Sequence, residues 1–207
     1  MQMARVVVIV LAAGAGSRFA ADSPEAPIKL LALLDGKPLL QHVLDRVAAL
    51  RPARTIVVLG HHAEAIEHAI DWHDEQRLRN HEPDEGLSSS VWLGLEAAAR
   101  TGTDIEAALI VLGDHPLLSA DLVARLREAA ETTADAAFIV PRFGDSGAPG
   151  HPVLVRRSAW GLASMLHGER GFGPLVASQP SLAVFIDVEC EDPDVDTPAD
   201  LERLRVR

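Results

Sequence analysis

The apolar positions of this chain fall into two kinds of pattern. Some are short unbroken runs bounded by turn residues, which mark strands buried on both faces. Others recur at three-to-four-residue spacing, which marks helices with one apolar face. The runs predict strands at Arg5–Ala12, Arg54–Gly60, Arg77–His81, Ala107–Gly113, Ala136–Pro141, Pro152–Arg156 and Leu182–Asp187. The periodic stretches predict helices at Pro38–Leu50, His62–Ile70, Ser88–Arg100, Ser119–Thr132, Ser158–His167 and Thr197–Arg205, with a further one near Phe172–Ser178. Helix starts carry their own signals. Pro38 occupies a first turn, where a missing N–H is harmless. Ser119 serves as an N-cap with Asp121 favourable behind it. Thr197-Pro198-Ala199-Asp200 combines an N-cap, a first-turn proline and an acid at the third position.

Alternation of apolar strands with amphipathic helices predicts an α/β fold with a mostly parallel central sheet and helices on both faces. In such sheets ligands bind beyond the carboxyl ends of the strands. The residues just after Ala12, Gly60, His81, Gly113 and Pro141 are therefore expected to share one crevice.

Composition narrows the function. The 207 residues suit a single domain, 1–207, and carry Lys+Arg 19 against Asp+Glu 30, a net charge of −11. That excess of acid argues against a nucleic-acid surface, which needs Lys and Arg for phosphates, but leaves room for one anionic ligand in a local basic pocket. The single cysteine, Cys190, excludes an internal disulfide framework and fits a reducing cytosol. The apolar run Val6–Ala13 is too short for a membrane span and breaks into glycine without a signal-peptide pattern. A cytoplasmic protein with neither nucleic-acid nor membrane partners is the expectation.

Candidate chemistry starts in the loop after the first strand, Ala13–Lys29. Leu11-Ala12-Ala13-Gly14-Ala15-Gly16-Ser17-Arg18 lets backbone approach a ligand closely, and successive N–H groups can form an anion nest. Arg18 adds a fork of donors and Lys29 a point charge, which together suit a triphosphate. The alternative is an ordinary glycine-rich turn with a solvated Arg18. Gly14-x-Gly16 also matches half of a dinucleotide fingerprint with Asp35 downstream, but Phe19 replaces the third glycine and Asp35-Gly36 reads as a turn; the Walker pattern is absent.

Two aspartates stand out. Asp114, in Gly113-Asp114-His115-Pro116, ends a buried strand over the expected crevice and is a suitable Mg²⁺ ligand, or else caps the turn. Asp196 precedes a helix that is already capped, so it is a second metal ligand or a solvated member of the acidic cluster with Asp187, Glu189, Glu191, Asp192 and Asp194. Asn80 and the run Ser88-Ser89-Ser90 at a helix start suit ribose or phosphate, or serve as caps. His61-His62 and the other histidines lack zinc spacing. His151, in a Gly/Pro-fixed bend, faces a second substrate or is a satisfied turn histidine. Gly168-Glu169-Arg170-Gly171-Phe172-Gly173 is a loop over an acceptor or an exposed connection.

In order along nearly the whole chain, these motifs resemble the molybdenum-cofactor nucleotidyltransferases, specifically the molybdopterin cytidylyltransferase branch. Leu11-Ala12-Ala13-Gly14-x-Gly16-x-Arg18 with Lys29 is similar to that family's nucleotide loop, and Asp35-Gly36-Lys37-Pro38-Leu39-Leu40 to its next segment. Asn80 with Gly86-Leu87-Ser88-Ser89-Ser90 and Gly94-Leu95, Gly113-Asp114-His115-Pro116, Gly150-His151-Pro152-Val153, Gly168-Glu169-Arg170-Gly171 and Asp196-Thr197-Pro198-Ala199-Asp200-Leu201 follow in register. The resemblance implies a Rossmann-like nucleotidyltransferase fold. It implies attack of a substrate phosphate on the α-phosphate of CTP or GTP with release of pyrophosphate; Ala12-Ala13-Gly14 favours CTP. On this reading Arg18, Lys29 and Asp114 are catalytic, and Asp114 and Asp196 hold Mg²⁺. Leu11 to Arg18, with Lys29, cradle the triphosphate. Asn80, Ser88 and Ser89 touch the nucleoside, while His151 and Arg170 face a molybdopterin-like acceptor. Delivery of the product to a molybdoenzyme is the partner this implies.

Two departures from the family pattern are visible. Phe19 stands in place of methionine and Ala20–Pro27 lengthens the gap to Lys29, while Gly-Glu-Arg-Gly-Phe-Gly replaces the usual Gly-Asp-x-Gly-Ala-Arg. Two rival readings share the scaffold: an NAD(P)H-dependent oxidoreductase acting on a heteroaromatic substrate, and a noncatalytic chaperone that delivers a cofactor.

Overall fold

The computed structural model describes residues 1–21, 28–144, 147–189 and 194–205. Positions 22–27 of the lengthened loop, Cys190, Glu191 and Asp192 lie outside the described residues.

The first strand, β1 (Val6–Ala12), has every residue buried. It needs no polar face because it lies mid-sheet, with β4 (Arg54–Leu59) and β6 (Ala107–Leu112) parallel on its two sides. Beyond β4 lies β5 (Gln76–Arg79), also parallel. Two short strands, β2 (Leu33–Leu34) and β3 (Lys37–Pro38), form a separate hairpin. Its turn places Asp35 and Gly36 at positive φ, 51° and 78°, the conformation an Asp-Gly hairpin turn requires.

The other half of the sheet contains β7 (Phe138–Phe143), the two-residue β8 (Ala148–Pro149), β9 (Val153–Arg156) and β10 (Ala183–Val188). The order is β10-β7-β9-β6-β1-β4-β5, with β8 pairing β7. Among the described residues of this sheet, only β8 and β9 run against the rest. The sheet is therefore mostly parallel, as the pattern of apolar runs predicts.

The helices are α1 (Ser17–Ala21), α2 (Leu39–Leu50), α3 (Ala63–Ala69), α4 (Leu87–Ala99), α5 (Ala120–Thr132), α6 (Gly173–Ser178) and α7 (Pro198–Arg205). On one face Val43, Leu44 and Val47 of α2, Ile66 of α3 and Leu122 and Leu126 of α5 pack on Val8, Val10, Val57 and Leu109. On the other, Val91 and Leu95 of α4 pack with Trp160 and Phe138 against Ile9, Ile56 and Ile110. Helix α4 lies close to the sheet because Gly94 has no side chain: a Cβ there would fall 2.6 Å from Ile9 Cγ2.

Three expectations shift. The loop after β1 contains the short helix α1, because Phe19 is buried and anchors a helical turn. Pro38 belongs to β3 and precedes α2 as its N-cap residue. The stretch expected as the helix Ser158–His167 is a run of 3₁₀ turns over Arg157–Met165. Among the described residues no helix is long and apolar enough to cross a membrane.

Candidate active site

A cleft of ≈ 520 Å³ opens at the carboxyl ends of β1, β4 and β6, a size that suits a ligand larger than a metal ion. One wall is the loop Leu11–Phe19. The side chains of 12–17 are no larger than a serine, and the N–H groups of Gly14, Ala15, Gly16 and Ser17 donate to no protein acceptor among the described residues. Gly16 takes φ +65°, and a Cβ there would meet Lys29 Cβ at 3.0 Å, so glycine lets Lys29 pass beneath the loop.

A small apolar cluster beside the cleft fixes the charged groups. Phe19, Ala32, Leu34, Leu39, Val195 and Leu201 pack together, joining α1, the β2–β3 hairpin and α7. Burying Phe19 turns its neighbour Arg18 outward, where it bonds Asp196. Burying Val195 holds the C-terminal segment against the end of β6, since Val195 N–H donates to Asp114 O at 3.3 Å. Asp114 and Asp196, 82 positions apart in the sequence, therefore meet in one place. Lys29 Nζ joins them, donating to Asp114 Oδ2 at 2.6 Å and Asp196 Oδ1 at 2.9 Å. The capping box of α7 holds Asp196 from behind. Asp200 Oδ2 accepts from the N–H groups of Thr197 (2.7 Å) and Asp196 (3.1 Å).

Burial alone would lower the pKa of Lys29. The attraction of Asp114, followed by the hydrogen bonds to Asp114 and Asp196, outweighs this and raises it. Burial likewise pushes the Asp196 carboxyl up, but Lys29 and then Arg18 hold it below the ordinary aspartate value. Both groups are charged at neutral pH.

The second wall starts just after Gly60, as the strand pattern predicts. Gly60 follows β4, and a Cβ there would lie 2.5 Å from Ala13 O; glycine lets β4 close against the loop. His61 Nδ1 then reaches Ala13 O at 3.0 Å and His62 Nε2 reaches Ala15 O at 3.3 Å. Asp84, Gly86, Ser90 and Glu169 also line the cleft. The expected nucleoside contacts Asn80, Ser88 and Ser89 lie behind this wall. Asn80 Nδ2 donates to Ser89 Oγ (2.8 Å) and Ser90 Oγ (3.0 Å), and Asn80 Oδ1 accepts from Glu82 N–H (2.9 Å). Buried polar groups must pair, and here Asn80 pairs with Ser89 and Ser90 while Ser88 Oγ donates to Glu85 O (3.4 Å), bracing the turn ahead of α4. Only Ser90 of the three serines lines the cleft. The loop expected over the acceptor instead packs at this wall: a Cβ on Gly86 would lie 2.5 Å from Gly168 C. Glu169 faces the cleft, whereas Arg170 is exposed and does not line it.

The profile of one family, described as the MobA-like NTP transferase domain, matches residues 8–182. The match takes in every residue of the cleft named above except Asp196. The chain belongs to the MobA-like NTP transferase family. Among solved structures, the Rv0371c homologue of Mycobacterium sp. strain JC1 is 28% identical with a TM-score of 0.82, covering 100% of this chain and 97% of its own. Rv0371c of Mycobacterium tuberculosis H37Rv, solved as a complex with manganese, superposes with a TM-score of 0.78 at 24% identity over 98% of each chain. The bifunctional protein GlmU of Bordetella petrii is 35% identical over 122 residues, 59% of this chain and 26% of that protein. This chain thus matches about a quarter of the length of that curated relative.

In this MobA-like chain a second cavity, of ≈ 200 Å³, lies beside the cleft and shares Leu112 with it. Its lining is mostly apolar, from Val111, Leu118, Leu122, Phe143 and Val188, with Ser119, Asp121, Arg125, His115 and His151 as polar members. The rings of His115 and His151 meet edge-on at 6.2 Å. Burial, reinforced by His115, pushes the His151 imidazole down to about 4, so this ring is uncharged at neutral pH. Of the two residues expected near an acceptor, His151 is here and Arg170 is not.

Proposed function

We propose that this chain transfers a nucleotidyl group from a nucleoside triphosphate, CTP in preference to GTP, to the phosphate of a small acceptor, with release of pyrophosphate. The observation that carries this reading is the convergence of Arg18, Lys29, Asp114 and Asp196 on the rim of the glycine-lined loop. Membership of the MobA-like family supports the reaction class, and Ala12-Ala13-Gly14 supports CTP.

The charges of the cleft bear on the cofactor. Four carboxylates (Asp84, Asp114, Glu169, Asp196) face Arg18 and Lys29, so a triphosphate alone meets too little positive charge. Asp114 Oδ1 is buried and accepts no hydrogen bond among the described residues, which leaves it an oxygen for a hard cation. Among the described residues no group of three or more His, Cys, Asp or Glu could hold a metal by itself. That fits Mg²⁺, which is bound by one or two carboxylates and completes its shell with substrate phosphates and water. The residues present therefore suit a divalent ion on Asp114 and Asp196. When bound, such an ion offsets charge on the phosphates as pyrophosphate leaves.

The chain's own part is positioning. Backbone N–H groups of Gly14–Ser17 and the guanidinium of Arg18 hold the triphosphate. Lys29, drawn from the carboxylates toward the phosphates, stabilises the charge that accumulates on pyrophosphate. An acceptor phosphate oxygen attacks the α-phosphorus and the α–β P–O bond breaks. No covalent intermediate and no general base are required, because the attacking phosphate is already an anion. His151 and the mostly apolar cavity beside it face the remainder of the acceptor, for which a molybdopterin-like group is the first candidate.

The test is pyrophosphate release with Mg²⁺ and CTP or GTP, each paired with molybdopterin and with simple sugar and organic phosphates. Release that depends on both nucleotide and one acceptor is the expected result. Tight NADPH binding with no release, or CTP binding without release for any acceptor, would contradict it in favour of a reductase or a delivery chaperone respectively.

A further inference from the structure

His61 takes no part in the chemistry above, yet it touches both walls of the cleft. Its Nδ1 lies 3.0 Å from Ala13 O, on the phosphate loop, and its Nε2 lies 2.9 Å from Asp84 Oδ1, on the turn ahead of α4. A carbonyl and a carboxylate only accept hydrogen bonds. Both contacts are made only if both ring nitrogens carry protons, so this geometry belongs to the imidazolium form. The approach is built in: Gly60 removes the Cβ that would strike Ala13 O, and His61 N–H donates to the same oxygen at 3.3 Å.

We propose that His61, as an imidazolium, is a positioning residue that clips the phosphate loop to the Asp84 turn, so that nucleotide affinity drops when this ring loses a proton. The inference rests on the nucleotide reading of the cleft. With one proton gone, either the loop or the turn loses its tie, and the cleft loses a positive charge. The charged neighbours favour the clip. Asp84 bonds the ring, and Glu169 faces it from the 3₁₀ turn at Gly168–Arg170. His62 is adjacent and bonds Ala15 O, while Arg18 and Lys29 line the same cleft but are paired with Asp196 and Asp114. In keeping with this, the hydrogen bond to Ala13 and then that to Asp84 raise the His61 pKa above 6.5.

The experiment is calorimetric titration of the whole chain with CTP and Mg²⁺ from pH 6.5 to 8.5, for wild type, His61→Gln and Asp84→Asn. Comparison among the three cancels protonation of CTP itself. Wild-type affinity is expected to fall over this range by about tenfold more than that of His61→Gln. Asp84→Asn keeps an acceptor but removes the charge, and is expected to move the wild-type fall to lower pH; its side chain is 93% exposed, so folding is secure. Parallel profiles for wild type and His61→Gln, or an unmoved profile for Asp84→Asn, would overturn the clip while leaving the nucleotide reading intact. A role confined to stability would lower the melting temperature without changing these slopes. Failure of the wild type to bind CTP or GTP at any pH would overturn the nucleotide reading, and the clip with it.

Discussion

Lys29 occupies an unusual place for a cation meant to hold phosphates: its side chain is only 10% exposed and spans two carboxylates. Removing it takes from Asp114 its ion-pair partner and leaves Asp196, close beside it, with Arg18 alone as counterion among the described residues. Lys29→Met is therefore expected to lose about 2 kcal/mol of stability at neutral pH. Millimolar Mg²⁺ or Mn²⁺ should raise its melting temperature more than that of wild type, because the ion replaces the lost charge; equal shifts by thermal fluorimetry would refute this. His151 allows a second test. The unfolded ring takes up its proton near pH 6.5 and the folded one only near 4, so between these values unfolding absorbs a proton and stability falls with falling pH. Chemical denaturation should show His151→Gln sparing up to about 3 kcal/mol of the wild-type loss over that window. Single residues were unevenly legible. Asp114 and Arg18 were visible from their place after a strand and in a glycine-rich loop. Asn80, Ser88 and Ser89 look the same in sequence whether they face a ligand or brace a turn, and only their partners separate the two. His61 falls in the crevice as its place just after Gly60 at a strand's end predicts, but its bonds to Ala13 and Asp84 have no signature in the sequence.

Among the elements, strands were read best, since unbroken apolar runs admit little else. Their direction is a different matter. Nothing in Pro152–Arg156 says that β9 runs against its neighbours, because burial on both faces gives the same pattern either way. The 3₁₀ run Arg157–Met165 kept helical spacing of Ala159 and Ala163 while Trp160 was held by its indole N–H to Val155 O at 3.1 Å. Helix α7 shows the opposite case, in which a local motif decides a distant site. Its Thr197/Asp200 box was legible, but its grip on the Asp196 N–H was not. Asp200→Ala is expected to lower stability by about 1 kcal/mol and also to reduce turnover by loosening Asp196. Asp200→Glu should restore less turnover than Asp200→Asn, which keeps the acceptor at the same reach. Steady-state rates beside denaturation curves for the three variants check this, and turnover that follows stability alone would refute it.

At the scale of the molecule, the net charge of −11 and the anionic substrate proposed above are reconciled by location. The parallel sheet brings the ends of β1, β4 and β6 to one edge, and the small cluster around Phe19 and Val195 folds the C-terminal segment back onto it. That return is what no local pattern shows, since it depends on two buried side chains far apart in the chain. The account stands on Asp114 and Asp196 forming a single divalent-ion site completed by nucleotide. Electron paramagnetic resonance titration of Mn²⁺, with and without CTP, tests this for wild type, Asp114→Asn and Asp196→Asn. Wild type should bind one ion weakly alone and at least tenfold more tightly with CTP, and each variant should lose most of that gain. Retention of the full CTP-dependent gain by either variant would show that the two carboxylates do not share an ion.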